Sequence, residues 1–87
     1  MSGAELVTAW RDHLADARRR SPHTVRAYVD AAQRLIAAQG LDDWASVARV
    51  EAHALRTHLA QRRAEGLGNA SAARELSALK AFITFAR

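Results

Sequence analysis

The residues of this chain best suited to hold a metal or move a proton are its four histidines, His13, His23, His53 and His58. Their spacing favours neither task. A helical zinc hydrolase needs two histidines on one helix face with an acid between them and a third converging ligand. His53 and His58 stand five apart, which puts them on different faces of any helix that holds both. All four are read as surface or boundary residues. The absence of cysteine removes thiol nucleophiles, sulfur-ligated metals and disulfide scaffolds together, and fits a reducing compartment. Gly40, Gly66 and Gly68 fall where helices stop, not in a loop that would cradle phosphate. No metal or other cofactor is expected.

What remains is cationic chemistry. Twelve arginines and one lysine against nine acids give a net charge of +4. A GC-rich coding sequence would enrich arginine and alanine together without functional cause, so the placement of the arginines has to carry the argument. In the last part of the chain Ala70, Arg74, Ser77 and Ala81 recur at steps of four, three and four, a strip of small side chains around one arginine that allows close backbone approach. Earlier, His23, Ala27, Asp30 and Arg34 form a corresponding strip, flanked by Thr24 and Arg26 and preceded by Arg18, Arg19 and Arg20. A helix start that offers free amides, a hydroxyl and arginines suits phosphate, and the planar arginine donors also match a guanine edge. The alternative is an alanine-rich solvated surface with scattered charges.

These strips need helices to display them. Eighty-seven residues make one domain, and a 49% apolar content excludes a disordered tail. Twenty-one alanines, a single proline and few Val and Ile predict an all-α fold. The first helix is expected from about Ala4 to Arg18, with Leu6, Trp10, Leu14 and Ala17 on its inner face. Ser21-Pro22 starts a second helix, with Val25, Tyr28, Val29, Ala32, Leu35 and Ile36 inward and Gly40-Leu41 as its stop. Residues 41–50 read as a buried connector, either a helical turn or an ordered loop anchored by Trp44 and Val47. A third helix from about Glu51 to Glu65 carries the narrow stripe Ala52, Leu55 and Leu59 and ends at Gly66-Leu67. A fourth, capped by Asn69, turns Ala72, Leu76, Leu79, Phe82, Ile83 and Ala86 inward. Its apolar stripe runs to the last residues, so the natural polypeptide is expected to continue beyond Arg87. The helices would pair as two hairpins packed across each other in a small bundle. No run approaches ~18 uninterrupted apolar residues and the N-terminus lacks a signal pattern, so the expected setting is cytoplasmic, with no membrane partner.

Three stretches in order carry a family resemblance: Ser21-Pro22-His23-Thr24-Val25-Arg26-Ala27-Tyr28, then Leu55-Arg56-Thr57-His58-Leu59 through Gly66-Leu67, then Ser71-Ala72-Ala73-Arg74-Glu75-Leu76-Ser77-Ala78-Leu79-Lys80-Ala81-Phe82. They resemble the N-terminal core-binding domain of the tyrosine recombinases, phage-type integrases included, and most of all the chromosome-dimer-resolving bacterial branch. The resemblance spans essentially the whole chain. It implies a SAM-like bundle that forms half of a C-shaped clamp on double-stranded DNA at a recombination site. Residues 1–87 would be that single domain, a monomer when isolated, with a separate C-terminal catalytic domain absent from this chain and partner recombinase subunits meeting in a tetrameric synapse. In such proteins the second and fourth helices lie against the major groove. Carried over, this points to Ser21, Thr24, Arg26 and Ala27 on the second helix and to Ser71, Arg74, Ser77, Ala78 and Lys80 on the fourth, with Arg20 beside the second helix gripping phosphate. Glu75 stands where relatives are often basic and is expected to weaken phosphate attraction. The family's catalysis uses a tyrosine nucleophile with arginines, a lysine and histidines. Tyr28, the only tyrosine, falls on an apolar face and is assigned to the core, so this chain is not expected to be an enzyme. A helical protein-interaction module is the competing expectation.

Overall fold

The computed structural model describes residues 2–17 and 20–87; Arg18 and Arg19 of the expected basic run lie outside them. The described residues form helices joined by short turns, with no strand among them: α1 (Gly3–Asp12) runs into a π-helical turn (His13–Ala17), followed by α2 (Pro22–Gln39), α3 (Trp44–Ala48), α4 (Ala52–Ala64) and α5 (Asn69–Ala86). The all-α expectation holds.

Local chemistry sets most boundaries. Ser2 and Glu5 form a reciprocal capping box on α1, and the Ser21 hydroxyl accepts from the Thr24 amide with Pro22 in the first turn of α2. At both Gly-Leu stops a left-handed glycine turns the chain. Gly40 has φ 65°, and the Leu41 amide bonds back to the Ile36 carbonyl at 3.1 Å; Gly66 has φ 106°, and the Leu67 amide reaches Arg62 at 3.1 Å. An added Cβ at Gly40 would meet nothing within 4 Å. Gly40→Ala should therefore lose only the backbone preference, about 1 kcal/mol in a urea titration, and a loss above ~3 kcal/mol would mean that the site has a contact beyond backbone strain.

Several boundaries differ from expectation. The α-helical hydrogen bonding of the first segment stops at Asp12, and the rest of the segment is the wider π turn, which no sequence feature announces. The connector contains a helix of its own, α3, started by an Asp43–Ser46 capping box: the Ser46 amide donates to the Asp43 carboxylate at 2.7 Å. That hydrogen bond, with the Ser46 hydroxyl, holds the Asp43 carboxyl below its ordinary pKa. Gly68, not Asn69, is the N-cap of α5, and Asn69 is already helical. Ala52 is exposed, and the buried stripe of α4 is Leu55, His58 and Leu59.

The α1–α2 and α4–α5 hairpins cross chiefly where α2 meets α5, while α1 packs on α2 and α3 and α4 pack on α5. Leu6, Trp10, Leu14, Leu35, Val47, Leu79 and Phe82 form the fully buried centre. Phe82 ties three helices together, its ring 5.5 Å from Trp10 and 5.7 Å from Trp44. Trp44 and Val47 thus anchor α3 as expected, whereas Leu76, expected inside, is only partly buried.

Candidate nucleic-acid interface

Where α2 and α5 pack together they leave a groove of about 460 Å³. The α2 wall presents Thr24, Ala27 and Arg34, and the α5 wall presents Ser71, Arg74 and Ser77. The first turns of both helices contribute to its lining, His23 and Thr24 from α2 and Ser71 from α5, which brings two hydroxyl-bearing turns to one place. Thr24 and Ser21 are bonded to each other at 3.0 Å through their hydroxyls. Arg74 bends back to the Ser71 hydroxyl at 3.1 Å and has no carboxylate partner among the described residues.

Of the residues singled out from the sequence, Thr24, Ala27, Ser71, Arg74 and Ser77 are brought together here. Ala78 also borders the groove but is 3% exposed. Its methyl group fills the crossing of α5 against α2, so it is a packing residue and not an outward contact. Lys80 is exposed, does not line the groove and lies two residues past Ala78, roughly 200° further around the helix. Arg20 and Arg26 belong to a second concavity shared with Arg11 and Asp30, on the other flank of α2. The Arg20 guanidinium sits 4.6 Å over the ring of Tyr28, which itself lines the first groove. Tyr28 is accordingly half-buried rather than a full core residue.

The largest departure concerns Glu75. It does not project beside Arg74 toward solvent; its side chain is 4% exposed and lies under the groove. Arg34 donates to one carboxylate oxygen at 2.6 Å, and Arg62 donates to the other at 3.1 Å while also reaching Glu65 at 3.1 Å. Burial opposes ionisation of Glu75, but the hydrogen bonds and charges of Arg34 and then Arg62 prevail and hold its carboxyl below the ordinary value. Burial likewise opposes the charge on Arg62, and Glu65 and Glu75 outweigh it, so that its pKa is raised. His58, expected at the surface, is buried with Nε2 3.4 Å from the Glu75 carboxylate. One sequence signal for this cluster existed. Glu75 falls three residues after Ala72 and four before Leu79, both inward, and an acid on a core-facing position requires a cation. Among the described residues no group of His, Asp or Glu is arranged to hold a metal ion, and no helix is long and apolar enough to cross a membrane.

Residues 7–87 match the model of the phage integrase N-terminal SAM-like domain. The chain belongs to that family. As a SAM-like domain it has the all-α bundle, the Ser-Pro start of α2 and the α2–α5 groove in one unit. Over 82 residues, 90% of this chain, the SAM-like domain is 38% identical to the tyrosine recombinase XerC of Methylobacterium sp. (strain 4-46). It covers 26% of that recombinase, about a quarter of its length. No solved structure matches significantly.

Proposed function

We propose that this SAM-like domain is the DNA-gripping N-terminal part of a XerC-like site-specific recombinase, acting in strand exchange and chromosome dimer resolution. Catalysis would reside in a C-terminal domain outside these 87 residues, so the chain alone performs no chemistry. The observation that carries the reading is the groove itself: first-turn hydroxyls of two helices, small side chains and an arginine without a carboxylate partner among the described residues meet on one face. The small side chains let backbone and amides approach a duplex, and Arg74 supplies a charge not already spent within the protein. Ser21, Arg26 and Lys80, on the flanks, would touch phosphates on either side.

Titration with duplex DNA at several salt concentrations tests this. Each phosphate contact contributes roughly 0.9 to the slope of log affinity against log salt, and half a clamp makes only a few, so weak and steeply salt-dependent binding is expected. A slope near zero would favour the second reading, contact with partner recombinase subunits in a synapse. That reading has its own observation: among the described residues Phe85 is the large apolar side chain left exposed, its ring tilted against His13 at 4.3 Å, away from the groove.

Positioning and specificity should separate by mutation. Arg74→Ala is expected to reduce the preference for a cognate half-site over random duplex by about 1–3 kcal/mol, the discrimination an arginine–guanine pair supplies. Arg26→Ala, on the flank, should weaken both duplexes equally and lower the salt slope by about one unit. Arg20 is a poorer choice for this comparison, because its removal also uncovers Tyr28.

A further inference from the structure

Three arginines line the groove, and they differ in how their charge is balanced. Arg34 and Arg62 stand against two acids, Glu75 and Glu65, so the ion-paired cluster adds no net charge of its own. Arg74 has no such partner among the described residues. A compensated arginine adds little to the long-range attraction of phosphate, but it keeps its hydrogen-bond donors. Arg34 is the informative case. Its terminal nitrogen is fixed on Glu75, its Nε is buried without a partner, and its side chain is still 39% exposed on the groove wall. With one terminal nitrogen anchored and Nε enclosed, the other terminal nitrogen, Nη1, and the unbonded hydrogen of Nη2 are the donors left for the space that the proposed duplex would enter. Anchoring beforehand removes part of the ordering cost that a mobile arginine meets on binding.

We infer that Arg34 is a further specificity-determining DNA contact, reading a base edge rather than a phosphate, and that Glu75 is its positioning residue. The inference rests on the DNA-facing role proposed for the groove. It also inverts the ordinary expectation for an acid near a DNA surface: removing Glu75 should impair discrimination even though it adds one unit of positive charge.

The test is selection of duplexes from a random-sequence pool by the 87-residue chain, followed by binding of the selected and a scrambled duplex across a salt series. Arg34→Ala should lower the selected-to-scrambled affinity ratio about tenfold, within the range for one arginine–base pairing, and leave the salt slope unchanged. Arg34→Lys keeps the charge but not the planar fork, and should lose the ratio as well. Glu75→Gln should lower the ratio while tightening binding to the scrambled duplex. In the free protein the same change should shift the Arg34 Nε–Hε resonance and speed its exchange with water, a readout independent of DNA. Failure of the parent chain to enrich any duplex would overturn the DNA reading and this inference with it. An enriched sequence that Arg34→Ala and Arg34→Lys still prefer undiminished would overturn the inference alone. So would a Glu75→Gln protein that binds both duplexes more tightly at an unchanged ratio, the behaviour of an acid that merely repels DNA. Should Glu75→Gln fail to fold, the two Arg34 variants decide the matter.

Discussion

Phe82→Ala is expected to lower the free energy of unfolding by about 3–5 kcal/mol, the range for removing a buried aromatic ring. The ring is fully buried and is the common surface on which Trp10 of α1 and Trp44 of α3 pack. No neighbour can collapse into the space without giving up one of those contacts. A domain of this size has roughly 4–13 kcal/mol to lose, so the variant should be partly unfolded at room temperature. Leu79→Ala, at another fully buried position, should cost about 2–5 kcal/mol, and Leu76→Ala less, because Leu76 is only partly covered. Urea denaturation followed by circular dichroism measures the series. A Phe82→Ala midpoint equal to that of the parent would refute the packing of α1 and α3 on α5.

Glu75→Ala should destabilise by about 3 kcal/mol, the low end of the range for removing one member of a buried ion pair. The low end applies because Arg34 and Arg62 lie at the edge, 39% and 22% exposed, and can turn toward water once the carboxylate is gone. The pH dependence has a definite sign. The carboxyl is held below its ordinary value of 4.5 in the folded state, so its contribution is fully present above that value and is lost as pH falls through the lower, folded-state pKa. The parent should accordingly lose stability below about pH 4.5 more steeply than Glu75→Gln, and the two unfolding curves should converge with acid. Parallel curves down to the acid limit would show that the carboxylate is not preferentially ionised in the fold.

Much of the helical architecture was legible because its determinants are local. The Ser21 hydroxyl reaches an amide three residues on, and Gly40 and Gly66 close their helices through bonds that span five residues in sequence. Such signals survive whatever else the chain does. The same reading left α3 open between a helical turn and a loop, because its Asp43–Ser46 box is as local as any of these but starts a helix of only five residues, too short to show an apolar period.

The sequence by itself determined how many long helices there are and their approximate extents, most of their apolar faces, and that Thr24, Ala27, Ser71, Arg74 and Ser77 share outward or boundary faces. Tertiary structure decided everything that depends on which face meets which. Arg34 and Glu75 are 41 residues apart and Arg62 and Glu75 are 13 apart, so no helical period relates them, and only the crossing of α2 over α5 converts an apparently repulsive acid into the anchor of two arginines. That crossing also covers the Ala78 methyl and leaves Lys80 outside the groove. Periodicity assigns a residue to a direction about its own helix axis, whereas its burial and charge partners depend on how closely the neighbouring helix approaches, a distance set by the whole core at once.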